Sequence, residues 1–248
     1  MEPIIVITGG SRGIGAATAY LAAERGYGVC VNYRRNHQAA NAVVEKIRQN
    51  GGQGVAIAAD IAIESEVTSL FHKVDRQLGP VTALVNNAGI LEQQMRVENL
   101  DATRLNRVFT TNITGSFLCA REAIKRMSTK YGGVGGAIVN VSSVAARLGA
   151  PGEYVDYAAS KAAVDAMTIG LAKEVAAEGI RVNAVRPGFI YTDIHADGGE
   201  PQRVDRVKVS LPMQRGGQPI EVAQAILWLL SNEASYTTGA FIEVAGGR

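Results

Sequence analysis

Pro3-Ile4-Ile5-Val6-Ile7-Thr8-Gly9-Gly10-Ser11-Arg12-Gly13-Ile14-Gly15 is the stretch whose reading decides the fold. Pro3 to Thr8 is a short, β-branched apolar run, the pattern of a strand buried on both faces. It passes directly into a glycine turn and then into a small-residue helix, Ala16 to Arg25. Strand, glycine turn and helix start in that order make a phosphate site. The glycines let the backbone approach a pyrophosphate, and the helix N-terminus offers free N–H groups with a partial positive charge. A second strand, Gly28 to Tyr33, supplies the rest of the βαβ unit that such a site requires.

The end of that second strand, Asn32-Tyr33-Arg34-Arg35, bears on cofactor choice. A carboxylate there would bind a ribose 2′-hydroxyl, whereas arginine accommodates a 2′-phosphate. No carboxylate stands between Val29 and Arg35, and Arg12 adds a second guanidinium from the glycine loop. Guanidinium groups bind phosphate in a forked geometry. The pair predicts NADP, with NAD as the alternative.

Farther along, the same alternation repeats. Gln38 to Gln49 reads as an amphipathic helix and Gly54 to Ala59 as a third strand, ending in Asp60-Ile61. Asp60 at a strand's carboxyl end either meets an adenine amine or caps the helix that begins near Ile63. A helix to Leu78, a Gly79-Pro80 break and a fourth strand, Ala83 to Val85, lead into Asn86-Asn87-Ala88-Gly89. The amides there can tie adjacent strand ends, and the small residues leave room for a cofactor. Leu100 to Met127 reads as one long helical stretch whose pattern breaks around Asn112-Ile113-Thr114-Gly115. Asparagine and glycine inside a helix cost stability, so the break predicts a kink or a functional group, with Asn112 the candidate.

A fifth strand, Ala137 to Val141, delivers Ser142 and Ser143. A sixth, Arg181 to Val185, ends at Arg186-Pro187-Gly188. From Phe189 to about Met213 the pattern fails, which predicts a mobile lid over residues 189–213. His195 in that lid reads as a surface histidine. A helix, Ile220 to Leu230, and a short strand, Phe241 to Val244, close the chain. The alternation runs through without a linker or repeat. It predicts an α/β fold: one doubly wound Rossmann domain over residues 1–248, about seven parallel strands with helices on both faces.

Composition narrows the class. Hydrophobic residues make up 47% of the 248, charged residues 19%, and the formal net charge is +2. That leaves ample material for a core and too little charge for nucleic acid or an anionic membrane. No run reaches about 18 apolar residues, and no charged leader precedes Pro3. Cys30 and Cys119 lie in apolar patterns without metal-ligand spacing and read as free core thiols, so no metal is expected. The expectation is a soluble, cytoplasmic protein.

Chemistry is expected from Ser142-Ser143 and Tyr157-Ala158-Ala159-Ser160-Lys161. In a helix, Tyr157 and Lys161 share one face. An ammonium near a phenol favours the phenolate and lowers the tyrosine pKa from about 10, which suits proton exchange with an alcohol. The two serines should point to opposite faces if strand geometry persists.

Taken together, the T-G-G-S-R-G-I-G loop, Asn86-Asn87-Ala88-Gly89, Asn112, the serine pair, Tyr157-to-Lys161 and Arg186-Pro187-Gly188 resemble the short-chain dehydrogenase/reductase family over essentially the whole chain. In general character the sequence is similar to the 3-oxoacyl carrier-protein reductases and glucose dehydrogenases of that family. The resemblance implies reversible hydride transfer between NADP(H) and a small-molecule carbonyl or secondary alcohol. Tyr157 would be the acid/base, Lys161 would lower its pKa and hold the nicotinamide ribose, and Ser143 would bind the substrate oxygen. Asn112 would fix a water in a relay to Lys161. Gly9, Gly13, Ile14 and Gly15 would carry the phosphates, with Ser11, Arg12, Asn32, Tyr33, Arg34, Asp60, Ile61, Asn87, Ala88 and Gly89 along the adenosine half. Pro187, Gly188, Ile190 and Thr192 would border the nicotinamide. A homotetramer is also implied. The family usually places its serine about thirteen residues before the tyrosine, where this chain has Val144. Aligning the preceding strand selects Ser143 and puts one extra residue in the Arg147 to Asp156 loop. Ala245 stands where the family commonly has Asp. The competing readings are an NAD-dependent alcohol or sugar dehydrogenase and a catalytically silent cofactor-binding module.

Overall fold

A computed structural model describes residues 2–248. The glycine turn is entered from β1 (Ile4–Ile7) and left through α1 (Gly13–Glu24), and β2 (Gly28–Tyr33), α2 (His37–Gln49) and β3 (Gly54–Ala58) follow. Then come α3 (Glu64–Gln77), β4 (Val81–Asn86), α4 (Ala102–Phe109), α5 (Gly115–Met127) and β5 (Gly136–Val141). The remaining elements are α6 (Ala145–Leu148), α7 (Val155–Glu174), β6 (Ile180–Pro187), α8 (Ile194–Asp197), α9 (Arg203–Val207), α10 (Pro219–Leu230) and β7 (Phe241–Val244).

All seven strands pair in parallel in the order β3-β2-β1-β4-β5-β6-β7. Strand alternation divides each apolar run between two cores. Ile5, Ile7, Val29 and Val31 pack on the face covered by α1, α2 and α10, whereas Ile4, Val6, Cys30 and Ile138 face the α3, α5 and α7 side. A continuous β-branched run is therefore correct for β1: both faces are interior, and all four of its residues are buried. Cys30 and Cys119 are free and buried. No helix among the described residues is long and apolar enough to cross a membrane.

Strand order reverses between β1 and β4, and an open parallel sheet binds its ligand at the carboxyl ends beside such a switch. There the two strand ends are laced together. Thr8 Oγ1 accepts from the backbone N–H groups of Asn87 and Ala88, each at 3.0 Å, while Asn87 Nδ2 donates to the carbonyls of Thr8 at 2.9 Å and Gly9 at 3.0 Å. The long helical stretch divides as its sequence predicts. A π-helical turn, Thr110–Thr114, joins α4 to α5 and buries Asn112 completely.

Candidate active site

One cleft of about 720 Å³ runs along the carboxyl edge of the sheet. Every site residue predicted above lines it except Gly15 and Asn112, which lie just behind its wall. Gly15 is a packing glycine: a Cβ there would stand 2.5 Å from the Gly9 carbonyl oxygen and 2.6 Å from Asn87 Nδ2. The glycine loop can seat on the β4 end only because that Cβ is missing.

The loop end of the cleft fits a dinucleotide. Arg12 at the N-cap of α1 makes no side-chain cap, and the first turn holds no acidic residue, so its N–H groups have no side-chain acceptor. Asn32, although beside the cleft, is committed inward: Nδ2 donates to the carbonyls of Ile57 at 3.3 Å and Ala59 at 3.1 Å, tying β2 to β3. Arg34 pairs with Asp60 at 2.7 Å and keeps half of its side chain exposed. The two options left open for Asp60 are thereby resolved against capping, because Oδ1 accepts from Ala62 N at 3.0 Å and Ile63 stands at the cap of α3. Arg12 turns the other way, hydrogen-bonding Asp197 and lying 3.9 Å from Asp193 in the segment after Ile190.

At the other end, β5 delivers the serine pair and α7 presents the tyrosine and lysine. Ser142 is buried and its hydroxyl donates to the Lys161 carbonyl at 3.2 Å. Ser143 lines the cleft beside Tyr157, its Oγ accepting from Ala145 N at 3.1 Å. Lys161 is 4% exposed, and its ammonium donates to the Val141 carbonyl at 2.8 Å and sits 5.6 Å from the Tyr157 ring centre. The side chain of Asn112 is fully used. Oδ1 accepts from Ile90 N at 2.8 Å, and Nδ2 donates to Ile90 O at 3.1 Å and to Ser160 Oγ at 3.0 Å. Gly89 covers both groups; a Cβ there would lie 3.4 Å from Lys161 Nζ and from Asn112 Oδ1.

Electrostatics at this end differ from the expectation of a depressed phenol. Burial pushes Tyr157 up to about 12, with the neighbouring Ser143 hydroxyl pulling the other way, and burial pulls Lys161 down to about 8 against the field of Asp165. Burial is the larger influence on the phenol, and the Lys161 ammonium spends a donor on Val141 and stands 5.6 Å from the ring centre. Near neutral pH the phenol is protonated and the lysine still largely charged.

One reading of the lid is corrected. His195 is not at the surface: it is 8% exposed, Nε2 donates to the Ile190 carbonyl at 2.9 Å, and burial lowers its pKa. Arg203 of the same segment is also buried and tied to its surroundings. Arg203, 7% exposed, hydrogen-bonds Glu153 in the loop before α7, bonds Glu200 at 3.2 Å, and lies over the rings of Tyr154 and Phe189 at 5.0 and 5.4 Å. The Tyr154 hydroxyl in turn donates to the Gly198 carbonyl at 3.2 Å. Leu91, Tyr154, Phe189, His195 and Arg203 also line the cleft and were not predicted as site residues. For Phe189, His195 and Arg203 the sequence signal was the failure of periodicity from Phe189 onward, which marks a segment but no partner; Leu91 and Tyr154 carried no such signal.

The family described as enoyl-(acyl carrier protein) reductase matches residues 9–248. An uncharacterized oxidoreductase of Escherichia coli is 64% identical over 245 residues, 99% of each chain. A 3-oxoacyl-[acyl-carrier-protein] reductase of Staphylococcus aureus is 38% identical over 247 residues, covering 100% of this chain and 98% of the relative. Among solved structures, a dehydrogenase/reductase from Sinorhizobium meliloti superposes with a TM-score of 0.90 at 30% identity, over 99% of this chain and 94% of that one.

Proposed function

The chain belongs to the short-chain dehydrogenase/reductase family of oxidoreductases, and on that premise we propose that it is an NADP(H)-dependent reductase of carbonyl compounds, reversible toward secondary alcohols, with Tyr157 as the proton donor. The observation that carries the reading is the meeting of Ser143, Tyr157 and Lys161 in the same cleft as the uncapped start of α1 and the exposed half of Arg34.

The dinucleotide would be held by the backbone N–H groups of Gly13 and Ile14 and, at its 2′-phosphate, by Arg34, with Arg12 joining it on release from Asp197. A bound nicotinamide supplies the hydride. Ser143 and Tyr157 would both donate hydrogen bonds to one substrate oxygen, which suits a carbonyl whose oxygen gains negative charge as the bond order falls. Tyr157, protonated near neutral pH, then gives its proton to that oxygen. Lys161 holds positive charge beside the phenolate that results. Asn112 would serve proton return by fixing the Ile90 backbone and Ser160 around Lys161, its amide being already committed to those groups.

The relatives named as 3-oxoacyl reductases support a 3-oxoacyl thioester as the first substrate to try. The assembly we propose is a homotetramer, supported by Phe117 on α5 and Ile169 on α7, which remain 47% and 43% exposed. Its place is the cytoplasm, where buried free thiols such as Cys30 and Cys119 stay reduced. The test is cofactor consumption across a panel of 3-oxoacyl thioesters, ketones and keto-sugars. The purified protein should oxidise NADPH with at least one of them and favour NADPH over NADH. Arg34→Ala should weaken NADPH binding by about tenfold or more, the loss of a charge-assisted pair, while leaving NADH binding within about twofold. An unchanged NADPH/NADH ratio in that variant would refute the cofactor assignment.

A further inference from the structure

Tyr157 lies in the first turn of α7, and that turn has no side-chain cap: Tyr154 occupies the cap position without donating or accepting there. Something else must hold the turn in place. The residue before the tyrosine, Asp156, is 3% exposed, and its carboxylate points away from the cap position into a fork made by Arg104 of α4. Arg104 Nε donates to Oδ2 at 2.7 Å and Nη2 to Oδ1 at 3.3 Å. Arg104 is itself 6% exposed, and its third nitrogen, Nη1, donates to the Gln93 carbonyl at 2.6 Å. One guanidinium thus joins the helix that carries the tyrosine to the loop that carries Leu91 into the cleft.

That loop has two further ties to the same end of the site. Met95 N donates to the Glu153 carbonyl at 2.9 Å, and Gln94 Nε2 donates to Glu200 Oε2 at 2.8 Å, reaching the lid. Arg104 is the only one of these anchors that is both charged and buried, and the only one that acts on the residue adjoining Tyr157. A lysine could not replace it, because three divergent donors on a planar fork are needed to meet a carboxylate and a carbonyl at once.

We propose that Arg104 is a positioning residue: by clamping Asp156 and the Gln93 carbonyl together, it sets the pose of Tyr157 against Ser143 and the register of the substrate loop. The proposal rests on the reading of Tyr157 as proton donor. A buried pair can also serve the fold alone, and replacing both partners with apolar groups of similar volume often leaves stability intact. The double variant Arg104→Met/Asp156→Leu therefore separates the two roles. The expected result is a melting temperature close to that of the wild type, kcat for NADPH-dependent carbonyl reduction lowered at least tenfold, and KM for NADPH within twofold. Hydrogen exchange should quicken only in residues 90–96 and 155–158. Arg104→Lys, which keeps the charge and loses the fork, should show the same pattern and serves if the double variant does not fold. Retention of kcat within twofold, or faster exchange spread over the whole chain, would overturn the proposal. If the wild type reduced no carbonyl at all, the reductase reading would fail, and the exchange pattern would still decide whether Arg104 holds these two segments.

Discussion

Lys161 should destabilise the protein that depends on it. Its amine is buried and held at about 8 against an ordinary 10.5, a gap worth about 3 kcal/mol at about 1.4 kcal/mol per pH unit. Below pH 8 the lysine is protonated in both folded and unfolded chains, and the full cost of burying the charge falls on the fold. Between pH 8 and 10.5 the unfolded chain holds a proton that the folded chain has released, so wild-type stability gains over this window. Above 10.5 the cost is gone. Lys161→Met keeps the volume and removes the charge, but leaves the Val141 carbonyl without the 2.8 Å bond, a loss of about 1 kcal/mol. The net is about 2 kcal/mol of added stability at pH 7, or about 4–8 °C in melting temperature for a domain of this size. Thermal and urea denaturation of both proteins at pH 7, 8, 9 and 10 reads it directly. The advantage of the variant should be largest at pH 7 and shrink steadily toward pH 10. A variant less stable than wild type at pH 7, or an advantage that widens with pH, would refute the argument that desolvation dominates at Lys161.

The adjacent serines should behave oppositely. Ser142→Ala loses the bond to the Lys161 carbonyl and should cost about 1 kcal/mol in urea denaturation with kcat nearly unchanged, whereas Ser143→Ala should keep its stability and lose about 10²-fold in kcat. Gly15→Ala forces a Cβ to within 2.5 Å of the Gly9 carbonyl and 2.6 Å of Asn87 Nδ2; calorimetry should show about 1–3 kcal/mol of destabilisation, together with weakened NADPH binding as the glycine loop lifts off the β4 end.

The parts of the molecule legible in the sequence are those whose cause is local. Ile4 to Ile7 announces a two-sided strand because each residue finds a core on one face or the other. The cost of Asn112 and Gly115 inside a helix announces the π-turn between α4 and α5. Strand alternation separates Ser142 from Ser143, and their hydroxyls take different partners, the Lys161 carbonyl for Ser142 and the Ala145 N–H for Ser143. What the sequence could not show depends on partners far along the chain. Arg104 meets Asp156 across 52 residues and Arg203 meets Glu153 across 50, and nothing in either neighbourhood marks the match. Asp60 had two local options, and Arg34, 26 residues earlier, is what occupies its second oxygen. His195 looked like a surface residue because its burial comes from the fold of the lid around Ile190 and Arg203. The phenol of Tyr157 is the subtlest case. Spacing reveals its cationic neighbour but not the depth of burial, which raises the pKa.

The most direct test of the central claim sets wild type beside Tyr157→Phe with NADPH and whichever carbonyl proves to be a substrate. The two proteins differ by one hydroxyl, so the cleft and the glycine loop stay as they are. The account predicts NADPH binding within about twofold of wild type and turnover reduced by about 10³-fold or more, the proton donor being lost together with one of two hydrogen bonds to the substrate oxygen. A Tyr157→Phe protein that reduces the carbonyl at a substantial fraction of the wild-type rate would contradict it.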